Sequence, residues 1–364
     1  MAVLFAPLEG VGKIVVLRPG AVGDFVFALP ALHALKRSYP EATLVLAGKA
    51  WQRDFLEGRP GPVDRVIELP AVPGVGAPAD APADHDAIER FIEGMRAEGF
   101  DLALQMFGGG RYSNPFLGRF EARLSVGARA ADAAPLERWT DYREPVQRRL
   151  ALLEIAGLAG AWPTLPPLPE LAVTPADRSE AAAALAPLQC ERLVVLQPGS
   201  TDPRRCWPAH RFAALGDLLA DDGARIAVNG SASETALVGE VVGRMRRPAV
   251  ALAGRLGLGG LCGLLERAAL LVSNDTGPLH LALALGVPSV GIFWLTNLVE
   301  GMPLRPSLLQ AALAVRTRCP RCGHDNLRSR CPHDDSFVAD VSLVEVAGLA
   351  RSAFLAHARE GPPS

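Results

Sequence analysis

The chain has 364 residues, 49% of them apolar and 21% charged, which is length enough for two domains of ordinary size and apolar content enough for two cores. Its net charge of −2 excludes the broad basic field that recruits nucleic acid, so no nucleic-acid partner is expected. No uninterrupted apolar run has the length of a membrane span and the first residues lack a secretory pattern, so a cytoplasmic protein is expected.

Residues 13–18 (KIVVLR) read as a first buried strand. The strand breaks at Pro19-Gly20-Ala21-Val22-Gly23-Asp24. An apolar helical pattern through Phe25, Leu29, Leu32 and Leu35 follows, with Pro30 placed near its first turns. Further strands are expected at 42–47, 63–69 and 100–106, and helices at 51–57, 85–98 and 146–158. Residues 71–83, rich in Pro, Gly and Ala, read as a loop, and 111–145 show no clear period. Residues 162–175 carry five prolines and almost no charge, which marks a linker.

Beyond the linker the alternation starts afresh. Helices are expected at 176–186, 210–220, 234–245 and 261–267, and strands at 192–196, 225–228, 249–252, 268–272 and 288–293. Strands alternating with helices, twice over, argue for an α/β chain of two doubly wound, Rossmann-like domains facing a cleft. The boundaries are 1–170, 171–340 and a closing helix with its tail at 341–364. Only three of the 37 basic residues are lysines (Lys13, Lys36 and Lys49), a drift towards arginine that goes with the abundance of Ala, Pro and Gly.

Ligands of such sheets lie beyond the carboxyl ends of strands, and the distinctive turns fall there. In residues 271–286 (LVSNDTGPLHLALALG) a strand ends in Ser273-Asn274-Asp275-Thr276-Gly277 and a helix starts at once. Free N–H groups and the positive dipole end make that turn a phosphate cradle, and Pro278 costs nothing in a first helical turn. An ordinary strand-to-helix connection with an Asp or Thr cap would read the same. In RPGAVGD, Gly20 and Gly23 allow close backbone approach, and Asp24 is either a helix cap or a carboxylate poised as general base. The turn has neither GxGxxG nor the Lys-Ser/Thr of a P-loop, which counts against nucleotide sites of those kinds. Gln197-Pro198-Gly199-Ser200-Thr201 followed by Arg204-Arg205-Cys206-Trp207-Pro208 offers a glycine and hydroxyl turn with two cations, or else solvated arginines beside a core tryptophan. In Asn229-Gly230-Ser231-Ala232-Ser233-Glu234 the last residue sits where a ribose-binding carboxylate or a first-turn helix acid would sit.

These stretches, in this order and at this spacing, resemble the ADP-heptose:lipopolysaccharide heptosyltransferases, glycosyltransferase family 9. SNDTGPLH is the most specific element, RPGAVGD the second, and residues 71–169 resemble the family least. The resemblance implies a GT-B fold with an N-terminal acceptor domain, a C-terminal donor domain and a final helix, near 342–357, crossing back to the N-terminal domain. It implies Asp24 as catalytic base, with Gly20 and Gly23 in its acceptor-side loop. It assigns Asp275, Thr276 and Gly277 to the donor diphosphate, with His280 one turn further, and Glu234 to the adenosine ribose. Ser200 and Thr201 fall in the donor set. Arg205 stands where the family's K-x-W-P motif has lysine, which keeps the charge with a bulkier, forked head. The implied reaction is inverting and requires no cofactor: an ADP-sugar gives a heptose, or a related sugar, to an acceptor hydroxyl, most simply in lipopolysaccharide core biosynthesis.

Cys319, Cys322 and Cys331, with His324 or His333 as a fourth group, have the spacing of a structural zinc site. Some relatives that modify proteins carry a cysteine-ligated iron. The expectation is reduced, locally packed thiols, with structural zinc or iron at Cys319, Cys322, Cys331 and His333 as the alternative. Cys190, Cys206 and Cys262 are expected to be buried small apolar groups. His33, in an apolar helix, is expected to pack. Other readings are a nucleotide-sugar epimerase on the same architecture, which would need more acid/base groups such as His33 or His85, and a binding protein that has lost turnover. The acceptor is a lipid-linked or other glycan, a protein side chain or a small molecule, and membrane contact is peripheral at most, at the inner face of the cytoplasmic membrane.

Overall fold

The computed structural model describes residues 5–186 and 192–360, so Cys190 lies outside the described residues. Two compact units meet in sequence between Ala172 and Val173, inside the proline-rich stretch. The first unit runs β1 (Lys13–Leu17), α1 (Val22–Ser38), β2 (Thr43–Gly48), α2 (Ala50–Leu56), β3 (Arg65–Glu68), β4 (Val72–Pro73), β5 (Gly76–Ala77), α3 (His85–Glu98), β6 (Leu102–Gln105), α4 (Ser113–Gly118), β7 (Leu124–Arg129), β8 (Arg138–Asp141) and α5 (Arg148–Leu158). The second runs α6 (Pro175–Leu185), β9 (Leu193–Gln197), α7 (Ala209–Asp221), β10 (Arg225–Val228), α8 (Thr235–Arg244), β11 (Ala249–Ala251), α9 (Leu258–Glu266), β12 (Ala268–Asn274), α10 (Gly277–Ala284), β13 (Ser289–Trp294), α11 (Leu295–Gly301), β14 (Leu309–Ala314) and α12 (Leu343–Glu360).

The main sheet of the first unit has the order β3-β2-β1-β6-β7-β8, and that of the second β11-β10-β9-β12-β13-β14. Every pairing in both sheets is parallel. With the small β4–β5 ladder set aside, each unit follows the doubly wound order 3-2-1-4-5-6. Strands at the centre are covered on both faces by helices, which is why β9 (LVVLQ) and β12 (AALLVSN) are buried throughout and read as unbroken apolar runs. The winding direction reverses between β1 and β6 in one unit and between β9 and β12 in the other. A crevice for ligands opens beyond the carboxyl ends of those strands.

Three local differences from the sequence reading have physical causes. Pro30 lies inside α1, not near its first turn, and the helix continues to Ser38 because the surrounding residues from Phe25 to Leu35 are mostly core. Residues 111–145 contain α4, β7 and β8; β8 (RWTD) is an edge strand that alternates half-buried and exposed and so lacks an apolar signature. β14 is likewise the outer strand of its sheet, built from small residues (LQAALA).

Helix α12 packs on α7 and on β12, β13 and β14 of the second unit. Phe354 seals that contact at 1% exposure, and Arg351 forks onto Asp222 at 2.6 and 2.7 Å. All three lysines belong to the first unit, where Lys13 pairs with Glu98 at 3.2 Å and Lys36 with Asp64 at 2.8 Å.

Candidate active site

In the first unit β1 hands over to Arg18, whose side chain folds beneath the glycine turn. Its Nε donates to the Asp24 carbonyl at 3.0 Å, its Nη2 to Asp24 Oδ1 at 3.1 Å, and its Nη1 to the Met106 carbonyl just past β6. One guanidinium therefore joins the two strand ends at the switch point. Burial lowers the Arg18 pKa, and the charge of Asp24 opposes that shift. The Arg18 side chain is 5% exposed and that of Asp24 40%. Asp24 Oδ2 also accepts the Ala21 N–H at 3.0 Å, so the residue caps α1 while still reaching solvent. Gly20 is required: a Cβ there would stand 2.3 Å from Asp24 Cβ. Gly23 lies half-buried in the first turn of α1.

In the second unit the burial runs the other way. Asp275, directly after β12, has a side chain 6% exposed, while Arg205 is 37% exposed. Asp275 Oδ2 accepts from Arg205 Nη1 at 3.2 Å and from Asn297 Nδ2 at 2.8 Å, and Oδ1 lies 3.1 Å from His280 Nε2. Burial alone would raise the Asp275 pKa. The His280 hydrogen bond and charge, then Arg205 and Asn297, bring it below the usual carboxylate value. His280 is buried one turn into α10, and Gly301 must be glycine beside it, because a Cβ would approach its Cε1 to 2.9 Å. Thr276 is the N-cap of α10, but its hydroxyl does not cap the helix. The arrangement offers a half-exposed guanidinium tethered beside a helix N-terminus, a combination suited to a diphosphate.

The two arginines after β9 divide their work. Arg204 is turned inward onto Asp202 through Nε at 3.0 Å and Nη2 at 2.6 Å, leaving Arg205 as the outward cation. Trp207 is core at 1% exposure, and its Nε1 donates to the Val341 carbonyl at 2.8 Å. Glu234 accepts the Ser231 N–H at 2.7 Å, and its carboxylate lies over Gly199, where a Cβ would come within 1.8 Å of Oε1. Ser200 is half-buried and Thr201 exposed in the same turn. Cys206 is half-buried, not buried as expected; burial, then the charge of Glu234, push its thiol up to about 11, so it stays protonated.

Outside these turns, Cys319, Cys322, Cys331 and His333 converge, with their ligand atoms all within 4.8 Å of one another. His324 turns away to the Ser329 carbonyl and hydroxyl at 3.0 and 2.9 Å. Cys262 is fully buried in α9, and His33 packs with Nε2 2.8 Å from the Glu170 carbonyl. His85 is exposed at the start of α3. An open pocket in the first unit is lined by Arg18, Met106, Tyr142, Arg143 and Arg148 among others.

Three residues of these turns were missed in the sequence. Asn297 supports Asp275 from α11. Asn274, fully buried, accepts the Trp207 N–H at 3.0 Å and donates to the Pro198 carbonyl at 2.6 Å, tying the turn after β9 to the end of β12. Arg18 was the most findable, because a charged residue directly after an apolar strand and before Pro-Gly is a residue the strand end must either bury or expel.

A family profile described as glycosyltransferase family 9 (heptosyltransferase) matches residues 88–326. That range begins after Asp24 and ends before Cys331. Lipopolysaccharide heptosyltransferase 2 of Salmonella typhimurium is 27% identical over 308 residues, covering 77% of this chain and 82% of the relative. Among solved structures, a glycosyl transferase family 9 protein from Veillonella parvula superposes with a TM-score of 0.76 at 18% identity, over 95% of this chain and 97% of that one. E. coli ADP-heptose lps heptosyltransferase II superposes with a TM-score of 0.72, also at 18% identity, over 96% of this chain and 100% of the other, so the GT-B fold is shared.

Proposed function

The chain belongs to glycosyltransferase family 9 (heptosyltransferase), and from that membership we propose that it moves a heptose from ADP-heptose to an acceptor hydroxyl in lipopolysaccharide core assembly, with inversion at the anomeric carbon. The observation that carries this reading is Arg205, held at 3.2 Å by the buried Asp275 immediately before the N-cap of α10. Phosphate oxygens of the donor take the outward guanidinium and the N–H of Gly277 at the start of α10, since Pro278 has no N–H and those of Leu279 and His280 are spent on the Thr276 carbonyl. Ser200 and Thr201 line the turn opposite, and Glu234 receives the ribose hydroxyls. Asp275 itself does not touch phosphate: a carboxylate there would repel it, and its two oxygens are already committed to Arg205, Asn297 and His280.

Asp24 takes the proton of the acceptor hydroxyl as that oxygen forms its bond to the anomeric carbon. The bond from that carbon to the ADP oxygen breaks, and the charge growing on the diphosphate falls to Arg205 and the α10 dipole. Arg18 aims Asp24, its Nη2 donating to Oδ1 at 3.1 Å and its Nε to the Asp24 carbonyl at 3.0 Å. The pocket lined by Arg18, Arg143 and Arg148 together with Asp141, Glu144 and Glu154 offers a hydroxyl-rich glycan acceptor both hydrogen-bond donors and acceptors. No helix among the described residues is long and apolar enough to cross a membrane. A lipid-linked acceptor of the kind this reading implies is met by peripheral contact at the inner face of the cytoplasmic membrane.

An epimerase would need further acid/base groups at the donor, and neither histidine offered for that role serves: His33 is engaged by a carbonyl and His85 begins α3. Calorimetry of ADP, UDP and GDP binding to the wild type and to Glu234→Ala tests the donor assignment. ADP is expected to bind in preference, with the variant weaker; a preference for UDP, or no binding of any adenine nucleotide, overturns the reading.

A further inference from the structure

The connection from β14 to α12 carries a cluster that the transfer reaction does not use. We propose that Cys319, Cys322, Cys331 and His333 form a tetrahedral site for one thiophilic metal ion, zinc or iron, and that the loaded site braces the strap bearing Arg205. This replaces the expectation of merely packed thiols. Four donor atoms lie within 4.8 Å of one another, and Cys319 Sγ is 3.7 Å from His333 Nδ1. Metal–ligand bonds of about 2.0–2.3 Å in a tetrahedron set donor atoms roughly 3.5–3.8 Å apart, so only small shifts close the site. A packed cluster of thiols has no need of an imidazole nitrogen aimed into it.

The local backbone is built to present the sulfurs together. In Cys319-Pro320-Arg321-Cys322-Gly323 the chain folds back, with the Gly323 N–H on the Cys319 carbonyl at 2.9 Å and the Cys319 N–H on the His324 carbonyl at 2.9 Å. Gly323 has φ +72°, a conformation that favours glycine. Asn326 Nδ2 donates to Cys331 Sγ at 3.5 Å, the kind of outer hydrogen bond that orients a ligating sulfur. Two of the cysteines, Cys319 and Cys331, are buried against Phe337 and Trp294. Four protein ligands leave no open position, so the ion is structural and takes no part in bond making.

The brace follows from what the cluster holds. Asn326 Oδ1 accepts from the Cys331 N–H at 3.3 Å and from Arg204 Nη1 at 3.4 Å. The Phe337 N–H donates to the Arg204 carbonyl at 2.8 Å, and the Ser336 hydroxyl to the Cys206 carbonyl at 2.7 Å. Arg205 sits between two residues pinned by this one loop. The brace rests on Arg205 being the donor's phosphate ligand, as proposed above; the metal site does not.

Metal analysis of the purified full chain, with calorimetry of ADP binding, tests both halves. About one equivalent of metal per chain is expected, as for a structural site with four ligands. A colourless protein holding zinc, or a visible thiolate-to-iron absorption, identifies the ion. Cys331→Ser should lose the metal and raise the Kd for ADP about threefold to tenfold, the range of one lost hydrogen bond. Asn326→Ala keeps all four ligands and, with metal supplied, should stay loaded yet show a similar loss, which keeps the test decisive if Cys331→Ser fails to fold. Metal-free wild-type protein overturns the site. Loaded wild type whose ADP affinity is untouched by both substitutions overturns the brace. If the wild type binds no ADP, the donor reading fails instead, and the metal content still decides the site.

Discussion

The two switch points of this molecule use the same ion pair turned inside out. In the first unit an arginine is buried at 5% and its aspartate stands 40% exposed; in the second an aspartate is buried at 6% and its arginine stands 37% exposed. One sheet order thus supplies two opposite surfaces, because whichever partner is buried spends its hydrogen bonds on the scaffold and the other is presented. Arg18 spends its donors on two strand ends and offers a carboxylate, the group that accepts a proton. Asp275 spends its acceptors on His280, Asn297 and Arg205 and offers a guanidinium, the group that receives a diphosphate.

The sharpest way to break this comparison is Asp24→Asn. The amide oxygen can still accept the Ala21 N–H, so α1 keeps its cap while the base is gone; kcat should fall about 10²- to 10⁴-fold with KM for the donor nearly unchanged. A full kcat in steady-state assays would reduce the first turn to a helix cap. Next in size is Asp275→Ala, which strands a buried histidine and an amide and should cost about 3–5 kcal/mol in denaturant unfolding. The sign with pH is defined. A carboxyl whose folded pKa is depressed contributes stability that is fully present above its unfolded value, about 3.9, and is lost as pH falls through the folded value. Wild-type and Asp275→Ala unfolding curves should therefore converge in acid below about pH 4; curves that stay parallel would mean that Asp275 is not charged in the folded protein. The smallest effect is expected from Arg205→Lys. Lysine keeps the positive charge that faces the diphosphate and loses only the fork, so donor kcat/KM should drop no more than about fivefold. A far larger loss would show that the donor is gripped by the fork of the guanidinium rather than by its charge.

Much of this was legible in the chain because the informative signals were local. Buried parallel strands are apolar runs, and their ends are marked by Pro19-Gly20 and Pro198-Gly199, so the strand-end turns could be located from residues alone. The partnerships were not legible, because they join residues far apart: Arg18 to the Met106 carbonyl, Arg205 to Asp275, Asn274 to Pro198 and Trp207. Arg204 and Arg205 are neighbours of identical chemistry, and the positions of Asp202 and Asn326 decide that the first turns inward. The strands β8 and β14 escaped for a different reason: RWTD alternates half-buried and exposed, and LQAALA is made of residues that favour a helix as readily as a strand.

The distribution of lysine has a consequence for control of the molecule. With Lys13, Lys36 and Lys49 all in the first unit, every cationic side chain of the second unit that stays charged at neutral pH is an arginine. Guanidinium groups keep their charge across the whole physiological range and are not substrates for lysine acylation. The half that carries Arg205 is therefore closed to regulation by amine chemistry, and reagents or enzymes that modify lysine can reach only the half that carries Asp24.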